Sequence, residues 1–324
     1  MNIPATYQEL VKKEIEQFCK QLKQSPHELY EPMRYMLTME GKKLRPILLL
    51  LSCKTFKGNL KHALPVAVAV EVFHSFTLMH DDITDNAPLR RNKPSVHVKW
   101  NTNIALLSGD AMMVKAYECI AKAPASYLSE ILSLFNDTAL KVCEGQQLDM
   151  NFETQEKVSI KDYLHMISLK TAALFSASLE MGAILAGASK KDSDRMKVFG
   201  ENIGLLFQLQ DDVLDVFGSQ EKVGKQTGGD IIQNKKTFLL LKALELAKGK
   251  DLQELKSLLK KSGISSREKV KRVTAIYQKV GVLDHASTHM MDYYLKALKA
   301  IERIKSPELK ILVNLVDGMM SREI

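Results

Sequence analysis

The segment His80-Asp81-Asp82-Ile83-Thr84-Asp85 closes a strongly apolar stretch, and Gln210-Asp211-Asp212-Val213-Leu214-Asp215 closes another, 130 residues later. Both read D-D-x-x-D. On a helix, residues four apart share a face, about 6 Å apart along the axis. Asp81 and Asp85 therefore project together, as do Asp211 and Asp215, while Asp82 and Asp212 point about 100° away. Carboxylates gathered on one face repel each other, and apolar neighbours make their charges costly. A divalent cation removes both costs. Carboxylate oxygens are hard ligands suited to Mg2+, which keeps several waters and is commonly shared with phosphate. A water-exposed acidic helix end is the plainer reading of one such motif. Two copies, each followed by a basic loop, argue against it.

Those basic residues are Arg90, Arg91 and Lys93 after the first motif, and Lys225, Lys235 and Lys236 after the second. A third group, Gly41-Lys42-Lys43-Leu44-Arg45-Pro46, opens an apolar segment. Acid clusters that can hold a metal, ringed by Arg and Lys, are the parts of a diphosphate clamp. No G-x-x-x-x-G-K-[ST] is present, which excludes a P-loop nucleotide site.

Helices must position these groups. Proline, the strongest helix breaker, is missing between Pro124 and Pro307, and helix formers dominate the chain. Leu128, Ile131, Leu132, Phe135, Ala139, Val142 and Leu148 recur at helical spacing. The run Val66–Val70 continues into Glu71–Met79 without a turn signal, and reads as a buried helix. The fold class is all-α. Asn86–Val96, with two prolines and three basic residues, reads as a loop; Phe217–Lys236, with four glycines, reads as a long one. Long loops in compact domains are usually binding loops or lids. Nothing suggests repeats or a linker, so one domain over 1–324 is expected.

The chain has 324 residues and a formal net charge of +8, with 45% apolar and 26% charged residues. These proportions exclude disorder and collagen-like repeats. No run approaches the ~20 apolar residues of a membrane span. Glu9, Glu14 and Glu16 stand where a signal peptide needs an apolar core, and Cys19, Cys53, Cys119 and Cys143 are widely separated. A cytoplasmic protein with reduced thiols is expected. Residues 248–310 carry 15 Lys+Arg and 7 Asp+Glu, so the whole excess lies there and the remaining 31 and 31 cancel. That region reads as a solvated basic surface with, at most, peripheral membrane contact. Nucleic acid is not an expected partner.

With these motifs in place, the sequence resembles the polyprenyl synthetase family, the trans-isoprenyl diphosphate synthases, over nearly its whole length. The segments match in order: GKKLRP at 41–46, EVFHSFTLMHDDITD at 71–85, RRNKPSVH at 90–97, GQQLD at 145–149, KT at 170–171, FQLQDDVLD at 207–215, GKQTGGD at 224–230 and KKT at 235–237. The resemblance implies a bundle of long antiparallel helices around a deep apolar cavity, usually a homodimer. It implies head-to-tail condensation of an allylic diphosphate with isopentenyl diphosphate, assisted by several Mg2+ ions. It further implies that Asp81, Asp85 and Asp211 hold metal, with Asp82 and Asp215 in support. Arg90, Lys170, Lys225 and Lys235 correspond to contacts with the allylic diphosphate. Lys42, Arg45, His74 and Arg91 correspond to the isopentenyl diphosphate site. Thr171 and Gln208 stand where side-chain oxygens face a developing cation.

Three features depart from the family pattern. Glu40 stands where Gly is common, Lys43 where Arg is common, and the first aspartate motif lacks a two-residue insertion found in many bacterial relatives. Phe76 lies five residues before Asp81, about 7 Å down the helix. An aromatic there implies a floor that stops elongation at fifteen to twenty carbons, farnesyl or geranylgeranyl diphosphate, the uninserted motif leaning to the latter. A longer-chain synthase and an idle modulating subunit are the alternatives. A terpene cyclase of similar architecture is disfavoured by the second D-D-x-x-D.

Overall fold

The structure, a computed structural model, describes residues 4–218, 228–260 and 263–321. Helices α1 (Ala5–Gln21), α2 (His27–Thr38), α3 (Leu44–Thr55) and α4 (Leu60–Thr84) lead to a two-residue β-hairpin, Leu89–Arg90 against Lys93–Pro94. The chain continues through α5 (Val96–Lys99), α6 (Thr102–Ile120), α7 (Ala125–Thr154) and α8 (Ile160–Ile167). A π-helical turn, Ser168–Ala172, joins α8 to α9 (Ala173–Leu185), and α10 runs from Lys190 to Phe217. Then come α11 (Gly229–Gln233), α12 (Phe238–Leu246), α13 (Gly249–Lys260), α14 (Ser266–Lys279), α15 (Val282–Ile301) and α16 (Leu309–Met320). The protein is all-α, as the periodicity predicts.

The core helices are apolar all round. Ile47 to Leu51 on α3 and Val66 to Val70 on α4 are all buried, so the run that mimics strand alternation is a helix enclosed by α3 and α6. Burial on every side removes the amphipathic stripe, and with it the local helical signature. Asn59 starts α4 by accepting the Lys61 amide on its side chain. By length and composition α4 is the single described helix apolar enough to cross a membrane, yet most of it is buried inside the bundle. Helices α3, α9, α10 and α15 pack in succession.

Each of the two expected loops contains a regular element in its described part. Within Asn86–Val96, Arg91 and Asn92 take positive φ (52° and 61°), which turns the chain between the hairpin strands. Within Phe217–Lys236, Gly228 (φ 83°) turns the chain into α11. The Asp230 amide at the start of α11 donates to Asp215 Oδ2 at 3.0 Å. A carboxylate at a helix N-terminus favours helix over loop there. Cys19, Cys53 and Cys119 are buried, Cys143 is exposed, and all four are free thiols.

Candidate active site

Helix α4 delivers three acids to one end of the bundle. Asp82 faces inward, 1% exposed, and takes Arg90 in a forked pair: Nε lies 2.8 Å from both oxygens and Nη2 2.6 Å from Oδ1. The forked guanidinium fixes the carboxylate in place, although burial outweighs it and pushes the Asp82 carboxyl above the ordinary value. Arg90 Nη2 also lies 4.0 Å from Asp81 Oδ2. The side chain between the two acids is thus itself held in place. Asp81 and Asp85 face lysines instead. Lys170 Nζ donates to Asp81 Oδ1 at 3.2 Å and to Asp149 Oδ2 at 2.7 Å, and Lys235 Nζ donates to Asp85 Oδ2 at 2.8 Å. Burial works against an ionised Asp81, but Lys170, Lys235 and Arg90 outweigh it and hold its carboxyl below the ordinary value.

Lys170 and Thr171 sit on the π-helical turn, a rare geometry that often marks functional positions. Two glycines set the register around it. A Cβ on Gly145 would come within 2.3 Å of the Lys170 amide nitrogen, and one turn later on α7 stands Asp149, which binds that lysine. A Cβ on Gly204 would come within 2.5 Å of Ala172 Cα, and one turn later on α10 stands Gln208. Thr171 Oγ1 donates to Gln208 Oε1 at 2.8 Å. Gln208 Nε2 donates to Asp212 Oδ1 at 3.0 Å, and the Tyr163 hydroxyl donates to Asp212 Oδ2. Asp211 and Asp215 lie on the same α10 segment, with Asp215 bound to the start of α11.

Lys235 is pinned from both sides. Lys236 donates to the carbonyls of Phe152 and Gln155 at the end of α7. Lys269, buried on α14, donates to Ile232 O at 3.0 Å and to Asn234 Oδ1 at 2.7 Å. Cations closing the carbonyl ends of α7 and α11 are in their favoured place.

A second basic group lies beside α2 and α3. Arg45 Nη1 donates to His74 Nε2 at 3.1 Å, and its guanidinium lies 4.5 Å from the Phe175 ring centroid. Arginine only donates, so His74 offers a lone pair at Nε2 and carries its proton on Nδ1. Burial, then the cations Arg45, Arg91, Lys43 and Arg90, push the His74 pKa well below the ordinary value. Burial likewise pushes Arg45 down to about 10, and its buried Nε makes no hydrogen bond. Arg91 Nη1 donates to Met39 O at 3.3 Å and lies where a Cβ on Gly41 would come within 2.4 Å. Lys43 turns away, binding Glu71 at 2.9 Å and Leu37 O at 3.0 Å. Phe76 is half-buried, its ring 5.7 Å from Phe73 and 4.7 Å from His80, whose Nε2 lies 3.1 Å from Leu106 O.

The structure therefore gathers Asp81, Asp85, Lys170 and Lys235 into one ionic cluster, and joins Thr171 to Gln208. It groups Arg45 with His74, while Lys42 is exposed on the turn before α3. Lys225 lies outside the described residues. Sequence reasoning assigned no role to Asp149, Tyr163 or Asp212. The Gly145-x-x-x-Asp149 and Gly204-x-x-x-Gln208 spacings are the signal that points to two of these contacts: a glycine for close approach, then a polar group one turn on.

All-α architecture with two aspartate-bearing helix ends and neighbouring Arg and Lys side chains defines a class, and the chain belongs to it: it is a member of the polyprenyl synthetase family, matched by the family model over residues 26–280. It is a trans-prenyltransferase. It is 37% identical to the geranylgeranyl diphosphate synthase of Methanosarcina mazei over 302 residues, covering 92% of this chain and 91% of that one. It is 32% identical to the geranylfarnesyl diphosphate synthase of Natronomonas pharaonis over 318 residues, covering 92% and 91%. The crystal structure of geranylgeranyl pyrophosphate synthetase from Pyrococcus horikoshii superposes with a TM-score of 0.91 at 34% identity, covering 98% of each chain.

Proposed function

We propose that the chain condenses an allylic diphosphate with isopentenyl diphosphate to a short all-trans product of fifteen to twenty carbons. The observation that carries this reading is the interleaving of charges: Lys170 between Asp81 and Asp149, and Lys235 on Asp85. Such a cluster accommodates a polyanion together with its counter-cations, because each carboxylate and each ammonium can exchange its present partner for a ligand of matching charge.

The donor chemistry fits Mg2+. Asp81, Asp85, Asp211 and Asp215 supply hard oxygens, and the ammonium groups on Asp81 and Asp85 stand where positive charge is wanted. Among the described residues, no three carboxylate, imidazole or thiol groups converge closely enough to hold an ion alone. A metal held there would complete its shell with water and substrate oxygens. Asp82 supports the site through Arg90. When bound, the metal withdraws charge from the leaving diphosphate. Arg90, Lys170, Lys235 and Lys225 hold that diphosphate, and Lys42, Arg45, His74 and Arg91 hold the isopentenyl one. Thr171 and Gln208 turn oxygen lone pairs toward the allylic carbons, where they stabilise positive charge without supplying a water nucleophile. Phe76, braced by Phe73 and His80, forms the floor of the chain-length cavity.

The single-domain reading over 1–324 is supported by α10, which contributes to both apolar clusters. A homodimer is supported by an uncovered face. Leu107 (61% exposed) and Val114 (60%) lie seven residues apart on α6, with Leu140 (65%) on α7. Cytoplasmic localisation belongs to the same proposal.

The test is turnover by the purified chain with Mg2+, isopentenyl diphosphate and dimethylallyl, geranyl or farnesyl diphosphate, with products sized by mass spectrometry. A C15 or C20 product that vanishes in excess EDTA is expected. A C25 or longer product would move the chain toward its geranylfarnesyl relative, and no product with any starter would favour the idle-subunit alternative.

A further inference from the structure

Tyr163 on α8 is 2% exposed, a costly place for a hydroxyl unless its hydrogen bond matters. It donates to Asp212 Oδ2, and Asp212 is itself only 3% exposed. From there the bonds run outward in one sense. Gln208 Nε2 gives its hydrogen to Asp212 Oδ1 at 3.0 Å, and Gln208 Oε1 receives the hydroxyl hydrogen of Thr171 at 2.8 Å. Both Asp212 oxygens accept in the structure, one from Tyr163 and one from Gln208, so the amide faces the acid with its nitrogen. The amide oxygen is then the end left for Thr171. The single hydroxyl hydrogen of Thr171 is spent on that oxygen. What remains on Thr171 Oγ1 is lone-pair density, one residue from Lys170.

We infer that Tyr163 is a positioning residue for the condensation: by fixing the Asp212 carboxylate it sets the direction of the Gln208 amide, and so keeps the Thr171 hydrogen pointing away from the reacting carbons. This rests on the proposed prenyl transfer. Without the Tyr163 hydroxyl, one buried Asp212 oxygen loses its donor and the carboxylate is no longer held to receive Nε2. The amide then has no preferred orientation. Once turned over, it donates to Thr171 Oγ1 and leaves the threonine hydrogen to point toward the allylic carbons. A partial positive charge would then face a developing cation. Binding of either diphosphate involves none of these groups, so the defect belongs to the chemical step.

The test is Tyr163→Phe, alone and combined with Gln208→Leu. Expected for Y163F is a fall in kcat of at least tenfold, with KM for both diphosphates within twofold of the parent and a circular-dichroism melt that stays cooperative but is lowered by the acceptor left without a donor. In the Q208L background, adding Y163F should change kcat by less than twofold, because the amide acted upon is gone. An equal loss in both backgrounds, or an unchanged kcat in Y163F, overturns the inference. A second readout does not depend on turnover. In protein labelled with 15N-glutamine, the side-chain amide signal absent from a Q208L control identifies Gln208. Its hydrogen exchange should be slow in the parent and at least tenfold faster in Y163F; equal exchange overturns the inference even if no starter is turned over. Absence of turnover by the parent chain would bear on the proposed prenyl transfer instead.

Discussion

Gly145 and Lys170 touch without room for a side chain: a Cβ on the glycine would lie 2.3 Å from the lysine amide nitrogen and 2.7 Å from its Cα. Both atoms are backbone, so neither can step aside by changing rotamer. Gly145→Ala should push the π-helical turn off α7 and lengthen the bond from Lys170 to Asp149. Overpacking of this kind costs about 1–3 kcal/mol. Urea unfolding should show that loss, and kcat should fall more than tenfold. A variant of parental stability and rate would show that the turn accommodates the methyl group.

The floor assigned to Phe76 has a direct outcome. Removing the ring in Phe76→Ala leaves space beside Phe73 and His80. Products should lengthen by one or more five-carbon units on mass analysis, at a stability cost of about 3 kcal/mol for a buried aromatic, less here because Phe76 is half-buried. An unchanged product distribution would remove Phe76 from that role.

His74 predicts the shape of a stability profile. The folded protein keeps His74 neutral below the ordinary value of about 6.5, while the unfolded chain takes up a proton there. Stability is therefore fully present above that pH and is lost as pH falls below it, by up to about 1.4 kcal/mol per unit. Replacing His74 with Gln, which can still accept from Arg45, removes this dependence. Between pH 7 and pH 5.5 the parent should lose more stability than H74Q in urea unfolding. Parallel profiles would mean that His74 protonates freely in the fold.

The uncovered apolar face on α6 and α7 should respond to charge. Leu107→Glu with Leu140→Glu places two carboxylates on it, at residues that are 61% and 65% exposed and so not needed for the core. A dimeric parent and a monomeric, folded variant are expected by sedimentation velocity. A variant that sediments as the parent does would place the partner surface elsewhere.

Much of this was legible in the residues. The aspartate pairs, the Arg pair and the Lys-Thr dipeptide stand in short motifs, and helix periodicity identifies α7 plainly. The buried α4 was legible because Val66–Val70 flows into Glu71 without a turn signal. Other features depend on how distant helices register against each other. Asp212 looks like the middle acid of a metal motif, yet its side chain is enclosed and bound to Tyr163, 49 positions earlier. Lys236 looks like a solvated neighbour of Lys235, yet it closes the end of α7. Neither fact is contained in local spacing, because each is settled by which helix lies across the gap. Contact glycines such as Gly145 and Gly204 leave a trace of that register in the sequence.

Helix α4 carries His74, Phe76 and Asp81 without interruption and ends at Asp85. The part of the site that anchors charge and the part that meets the growing hydrocarbon are thus engraved on one rigid rod. Such a rod is a gauge, graduated at about 1.5 Å per residue and 5.4 Å per turn. Relocating the bulky side chain along it recalibrates the instrument while leaving its zero mark, the aspartates, untouched.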